Sequence, residues 1–157
     1  MALPRVSMVQ YLMQQGFLRQ EQLEEAQKVG GNSIVITFHP HPKNIVSPNK
    51  LNTALINTLE EKAYLLNRKG ISDLVVIPFD KNFSEMSAED FINEFLIKKF
   101  NPHSIIIGHD HRFGKNRSGN FEMLLNYARA NNFSVIQIPE HVLKNVAISS
   151  TAIRNNI

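Results

Sequence analysis

The sequence contains no cysteine, which removes disulfide scaffolds, thiolate zinc sites and cysteine nucleophiles together. No apolar run approaches the roughly 20 residues that a membrane-spanning helix needs, and no signal-peptide pattern opens the chain. Two catalytic signatures are also missing. There is no Gly-x-x-x-x-Gly-Lys-Ser/Thr loop and no Gly-x-Ser-x-Gly turn, which disfavours P-loop hydrolysis and the α/β-hydrolase elbow. An excess of one charge is nearly absent: 17 Lys and Arg against 14 Asp and Glu leave a net +3. That balance favours an anionic ligand and is too small to argue for nucleic acid. What remains is 157 residues, 43% hydrophobic and 20% charged. Such a chain forms one globular domain with a real core, too short for an eight-fold barrel. A cytoplasmic domain without membrane or nucleic-acid partners is expected.

Four short apolar runs are rich in β-branched residues: Ser33–Phe38, Leu74–Phe79, Ser104–Gly108 and Phe133–Pro139. Runs of this kind suit strands buried on both faces of a parallel sheet. Helical patterns alternate with them. Thr58-Leu-Glu-Glu61 is a capping box opening a helix from Leu59 to Lys69, closed by Gly70. Ser87-Ala-Glu-Asp90 caps a second, with Phe91, Phe95, Leu96 and Phe100 as its apolar stripe. A third covers Asn120 to Asn131, with Phe121, Leu124, Leu125 and Ala128 inward. The alternation predicts an α/β fold, a parallel sheet flanked by helices. Gln20 to Lys28 suits the helix preceding the Ser33 strand, whereas residues 1 to 15 fit either a helix or a strand. Lys43 to Asn57, with Pro48 and four asparagines, is expected to be a long mobile loop.

In an open parallel sheet, ligands bind just past the carboxyl ends of the strands. Three polar clusters fall at such places. Thr37-Phe38-His39-Pro40-His41-Pro42 follows the first apolar run, and its prolines present both histidines from a stiff turn. Gly108-His-Asp110-His-Arg112-Phe113-Gly114-Lys115-Asn-Arg117-Ser-Gly119 follows the third run. It is a basic, glycine-bearing loop suited to phosphate groups, which arginine grips through paired hydrogen bonds. Ser149-Ser150-Thr151-Ala-Ile-Arg154 reads as a helix start whose N–H groups and hydroxyls favour an anion, with Arg154 one turn on. The plain alternatives are a rigid turn, a solvated charged loop and an ordinary helix cap. Two His-x-His pairs, His39/His41 and His109/His111, leave a metal-dependent hydrolase open, although no Cys or Glu completes a ligand set.

Taken in order, Ile36-Thr-Phe-His-Pro-His-Pro42, Thr58-Leu-Glu-Glu-Lys62, Leu74-Val-Val-Ile-Pro-Phe-Asp80, Gly108-His-Asp-His-Arg-Phe-Gly-Lys115 and Ile148-Ser-Ser-Thr-Ala-Ile-Arg154 resemble the adenylyltransferase (FAD synthetase) module of the bacterial bifunctional riboflavin kinase/FMN adenylyltransferase family. The resemblance runs from about Glu21 to the C-terminus. It implies a Rossmann-like nucleotidyltransferase fold over a single domain, 1–157, and a reaction in which FMN and ATP, with Mg²⁺, give FAD and pyrophosphate. It further implies that Ser149, Ser150, Thr151 and Arg154 bind the ATP phosphates. Thr37 to Pro42 would line the site near nucleotide and metal, while Asp110 and the Arg112–Gly114 turn would contact the adenine nucleotide or the flavin. Nothing in the sequence resembles the riboflavin kinase module.

One departure stands out. The family opens with a strand and a Gly-x-Phe-Asp-Gly-x-His-x-Gly-His signature. Here Gln15-Gly-Phe17 followed by Leu-Arg-Gln-Glu-Gln22 echoes its start without the Asp-Gly-x-His part, so residues 1–20 form an atypical N-terminal segment. The expected function is therefore FMN adenylyl transfer, impaired by the missing motif. The alternative is a non-catalytic nucleotide- or flavin-binding module with a replaced N-terminus. Losing the first strand would leave a gap in the sheet, to be filled by residues 2 to 13, by a partner chain through homo-oligomerisation, or by an altered fold.

Overall fold

The computed structural model describes residues 6–10, 20–48 and 58–139. The four apolar runs form parallel strands: β2 (Asn32–His39), β3 (Asp73–Pro78), β4 (Pro102–Gly108) and β5 (Ser134–Ile138). A further strand, β1 (Val6–Gln10), runs between β2 and β4 and pairs with both in parallel. Met8 lies opposite Ile34 on one side and Ile105 on the other. The order is therefore β3-β2-β1-β4-β5, a doubly wound sheet of the Rossmann kind. The N-terminal segment, which by its own pattern fits helix or strand, becomes a strand because of where it lies. Its neighbours would otherwise turn two rows of backbone N–H and C=O groups toward each other without partners.

Helices cover both faces. α1 (Gln20–Lys28) and α3 (Leu59–Arg68) lie on one. Thr58 starts α3 as a capping box: its Oγ accepts the Glu61 N–H at 3.1 Å, and the Glu61 carboxylate accepts the Thr58 N–H at 2.9 Å. On the other face, α5 covers 88–100 and begins where Ser87 Oγ accepts the Asp90 N–H at 3.0 Å. Its middle, Phe91–Ile97, is wound as a π-helix, a form uncommon outside functional regions. α6 (Phe121–Asn131) starts at Asn120, whose side-chain oxygen accepts the Met123 N–H at 2.9 Å.

Two short helices were not foreseen. α4 (Lys81–Ser84) is capped by Asp80, and α2 (Pro42–Val46) occupies the start of the segment expected to be a loop. His41 caps α2 and Pro42 begins it, a position where the missing proline N–H costs nothing. Residues 49–57 of that segment lie outside the described residues.

Alternation along the strands divides the core. Ile34 and Ile36 of β2 and Ile105 and Ile107 of β4 pack with Phe91, Ile92, Phe95, Leu96, Leu124 and Ala128 on the α5/α6 face. Val35 and Ile106 turn the other way, toward Leu23, Leu66 and Ile71 on the α1/α3 face.

Candidate active site

The chain reverses its direction of travel across the sheet at β1, whose two neighbours are β2 and β4. Crevices open at such switch points, beyond the carboxyl ends of the strands. Because β2 and β4 are parallel, the loops that follow them share one edge. Two strand spacings separate their backbones, about 10 Å, comparable to the span of a nucleotide's phosphate chain.

At the end of β2, Thr37 is buried and accepts a hydrogen bond from the Lys62 ammonium at 3.2 Å. Phe38 turns to the opposite face. His39 is exposed, and its carbonyl accepts the Phe79 N–H at 3.1 Å. After the cis His39–Pro40 peptide, His41 is buried, and its Nδ1 accepts the Lys43 N–H at 3.2 Å. That bond assigns Nδ1 as an unprotonated acceptor. The two histidines of this turn therefore differ: one faces water and the other starts a helix.

The loop after β4 is fastened in several places. Phe113 and Gly119 form an antiparallel bridge, with N–H···O distances of 3.3 and 2.9 Å. The Phe113 ring is buried and stacks on Phe91 at 5.2 Å. Gly114 has φ +73°, and a Cβ there would lie 2.6 Å from the Ala88 Cα, so both its conformation and its neighbour require glycine. Lys115 donates its N–H to the Met86 carbonyl at 2.7 Å, and its ammonium pairs with Glu85. This contact holds the Glu85 carboxyl below its usual range.

Exposed on the same loop are His109, Asp110, Arg112 and Arg117. The His109 Nδ1 and Asp110 carboxylate stand 3.9 Å apart, and the His109 carbonyl accepts from the Gln137 side chain at 3.1 Å. His111 lies inward, its ring 6.1 Å from that of Phe113. Burial pushes its pKa down to about 4, against an upward pull from Asp110 and with a smaller downward push from Arg117.

A run of rings joins the two loops. Phe38 meets Phe83 at 5.4 Å, Phe83 meets Phe91 at 6.2 Å, and Phe91 meets Phe113 at 5.2 Å. Phe38 and Phe113 thus set the spacing between the β2 turn and the β4 loop from below. The sequence-predicted groups of these two clusters, Thr37 to Pro42 and Gly108 to Arg117, all fall along this edge. Ser149, Ser150, Thr151 and Arg154 lie outside the described residues. Among the described residues no group of three or more His, Asp or Glu could hold a metal ion, and no helix is long and apolar enough to cross a membrane.

The sequence does not single out the Lys62–Thr37 contact, because within the Thr58–Lys62 motif the lysine reads locally as part of a helix start and its partner lies 25 residues away. The available signal was a cation in the first turns of a helix, where the dipole disfavours positive charge.

The sequence profile of the FAD synthetase family matches residues 17–152. The bifunctional riboflavin kinase/FMN adenylyltransferase of Buchnera aphidicola subsp. Schizaphis graminum is 36% identical over 140 residues, covering 86% of this chain and 45% of the relative. The protein of the same description from Escherichia coli K12 is 30% identical over 131 residues, covering 83% and 42%. The chain thus spans less than half the length of these curated relatives. Among solved structures, a Streptococcus pneumoniae protein described as a macrolide-efflux protein matches with TM-score 0.72 and 27% identity, over 99% of this chain and 52% of that one.

Proposed function

Because the chain belongs to the FAD synthetase family, we propose that it is an adenylyltransferase domain that transfers AMP from MgATP to FMN. An FMN phosphate oxygen attacks the α-phosphorus of ATP. The new P–O bond makes FAD, and the bond to the bridging oxygen breaks to release pyrophosphate. The nucleophile is already ionised near pH 7, so no general base is needed. Catalysis reduces to aligning two anions and offsetting charge on the α-phosphate and the leaving group. Mg²⁺ would be held by triphosphate oxygens and water, since no ligand cluster exists among the described residues, and would offset charge on the phosphates.

The observation that carries this reading is the shared edge: two polar turns follow β2 and β4, the two neighbours of β1. In this reading Arg112 and Arg117 bear on the polyphosphate, while Gly108, Asp110 and the Gly114 turn approach nucleotide or flavin. Lys115 shapes the loop through Glu85 and adds positive charge on the nucleotide side. Ser149, Ser150, Thr151 and Arg154 complete the phosphate grip. Thr37 and the His39–Pro42 turn line the opposite side. The ligands are small nucleotides, not nucleic acid or lipid, and the protein works in the cytoplasm.

The missing Asp-Gly-x-His motif favours a second reading, a module that binds nucleotide or flavin without turnover. Incubating the purified chain with FMN and MgATP and separating the products by chromatography decides between them. FAD and pyrophosphate formed in equal amounts support the enzyme, at a rate reduced by the absent motif. Calorimetric binding of ATP or FMN with no FAD formed supports the module. No binding of either removes both readings.

A further inference from the structure

We propose that Lys62 and Thr37 form an additional seat for a phosphate oxyanion on the β2 side of the carboxyl edge, with Lys62 supplying the charge and the Thr37 hydroxyl aiming it. The proposal rests on the nucleotide reading for the identity of its physiological ligand, though not for the chemistry of the seat.

Three features make Lys62 anomalous as a merely structural residue. Its side chain is half-buried on α3, and burial alone holds its pKa below the usual lysine range. A lysine that loses water without gaining an acid gives up hydration for nothing. Among the described residues its ammonium meets the Thr37 hydroxyl at 3.2 Å and no carboxylate. The neighbouring Glu61 carboxylate is occupied at the helix start, accepting the Thr58 N–H. Finally, Lys62 is the fourth residue of α3, near the positive end of the helix dipole, where a cation is disfavoured. Burial, dipole and the lack of an acid all oppose a positive charge there, and an incoming anion would supply the missing counter-charge.

The position suits that role. Thr37 is the third-last residue of β2 and its side chain is buried, so its hydroxyl holds the ammonium beside the edge where β2 ends. Its position is set by strand pairing to Val76 of β3. A fixed hydroxyl costs little entropy at binding, whereas a freely rotating lysine would lose several rotamers.

The test uses inorganic pyrophosphate and MgATP as probes on the full chain. Binding is measured by calorimetry for the parent, Lys62→Gln and Lys62→Arg, and acetylation of Lys62 is followed by mass spectrometry with and without each probe. The proposal predicts that both probes slow Lys62 acetylation and that Lys62→Gln weakens binding about 10- to 100-fold, with Lys62→Arg retaining part of it. It also predicts that Lys62→Met melts at a higher temperature than the parent when no ligand is present, the reverse of what loss of a structural contact would do. Should pyrophosphate protect Lys62 while MgATP fails to bind, the seat stands and the nucleotide reading falls. Should MgATP bind with Lys62 unprotected and Lys62→Gln binding unchanged, the seat falls and the nucleotide reading stands. If neither probe binds, both fall.

Discussion

The two faces of the sheet are built to different standards. The α5/α6 face carries a continuous core in which Phe91, Ile92, Phe95, Leu96 and Phe113 are buried beneath a network of rings. Among the described residues, the α1/α3 face has a smaller cluster centred on Leu23, Val35, Leu66 and Ile106, and it admits a half-buried ammonium beside Thr37. One face therefore supplies rigidity and fixes the β4 loop, whereas the other tolerates a charge that costs stability. Sites that break local rules in this way tend to be where a fold keeps its function.

The contrast can be attacked by truncation. Phe95→Ala should cost about 3–5 kcal/mol, because it removes a buried ring that touches Phe83 and Phe91. Leu66→Ala on the thinner face should cost less, about 2–3 kcal/mol. Denaturant titration of both variants measures the difference, and equal losses would erase the distinction between the faces. Gly114→Ala should cost about 3 kcal/mol, combining a positive φ with a collision against the Ala88 backbone. The same substitution should loosen the 113–119 loop, read as faster amide exchange there than anywhere on the α1/α3 face.

A pH scan sharpens the comparison further. Folded His111 takes up a proton only near pH 4, while in the unfolded chain it does so near 6.5. Between those values the unfolded state holds more protons, so stability is full above about pH 6.5 and declines as pH falls toward 4. The contribution at stake is on the order of 3 kcal/mol. His111→Phe should flatten that part of the profile, whatever it does to stability at neutral pH; an unchanged slope would show that His111 does not govern it. The smallest effect is expected at the start of α3. Thr58→Ala removes one side of the capping box and should lower stability by about 1 kcal/mol, leaving the α5/α6 face untouched.

Much of this architecture is legible in the sequence. β2 to β5 announce themselves because strands covered on both faces must be apolar throughout, and the starts of α3, α5 and α6 show because their caps are side chains visible in the sequence. β1 was ambiguous for a physical reason: the identity of residues 6–10 as a strand depends on pairing with β2 and β4, which lie far along the chain. The strand also precedes the stretch matched by the family profile, which begins at residue 17.

The π-wound middle of α5 was not legible, since its apolar stripe fits an ordinary helix. α2 escaped because a histidine rather than a serine or aspartate caps it. The role argued for Lys62 could not be read from its neighbours in sequence, because its partner Thr37 lies 25 residues away. Conversely, the basic loop after β4 was visible from its letters alone, while its fastening to Met86 and Glu85 emerges only from tertiary packing.

The account depends on the Gly108–Gly119 loop and the hydroxyl-rich stretch from Ile148 to Arg154 gripping a single polyphosphate. Titrating MgATP while following backbone amide resonances tests this directly. The account predicts that amides of both segments shift together along one binding curve with one dissociation constant. Shifts confined to one segment, or two curves with different constants, would contradict it.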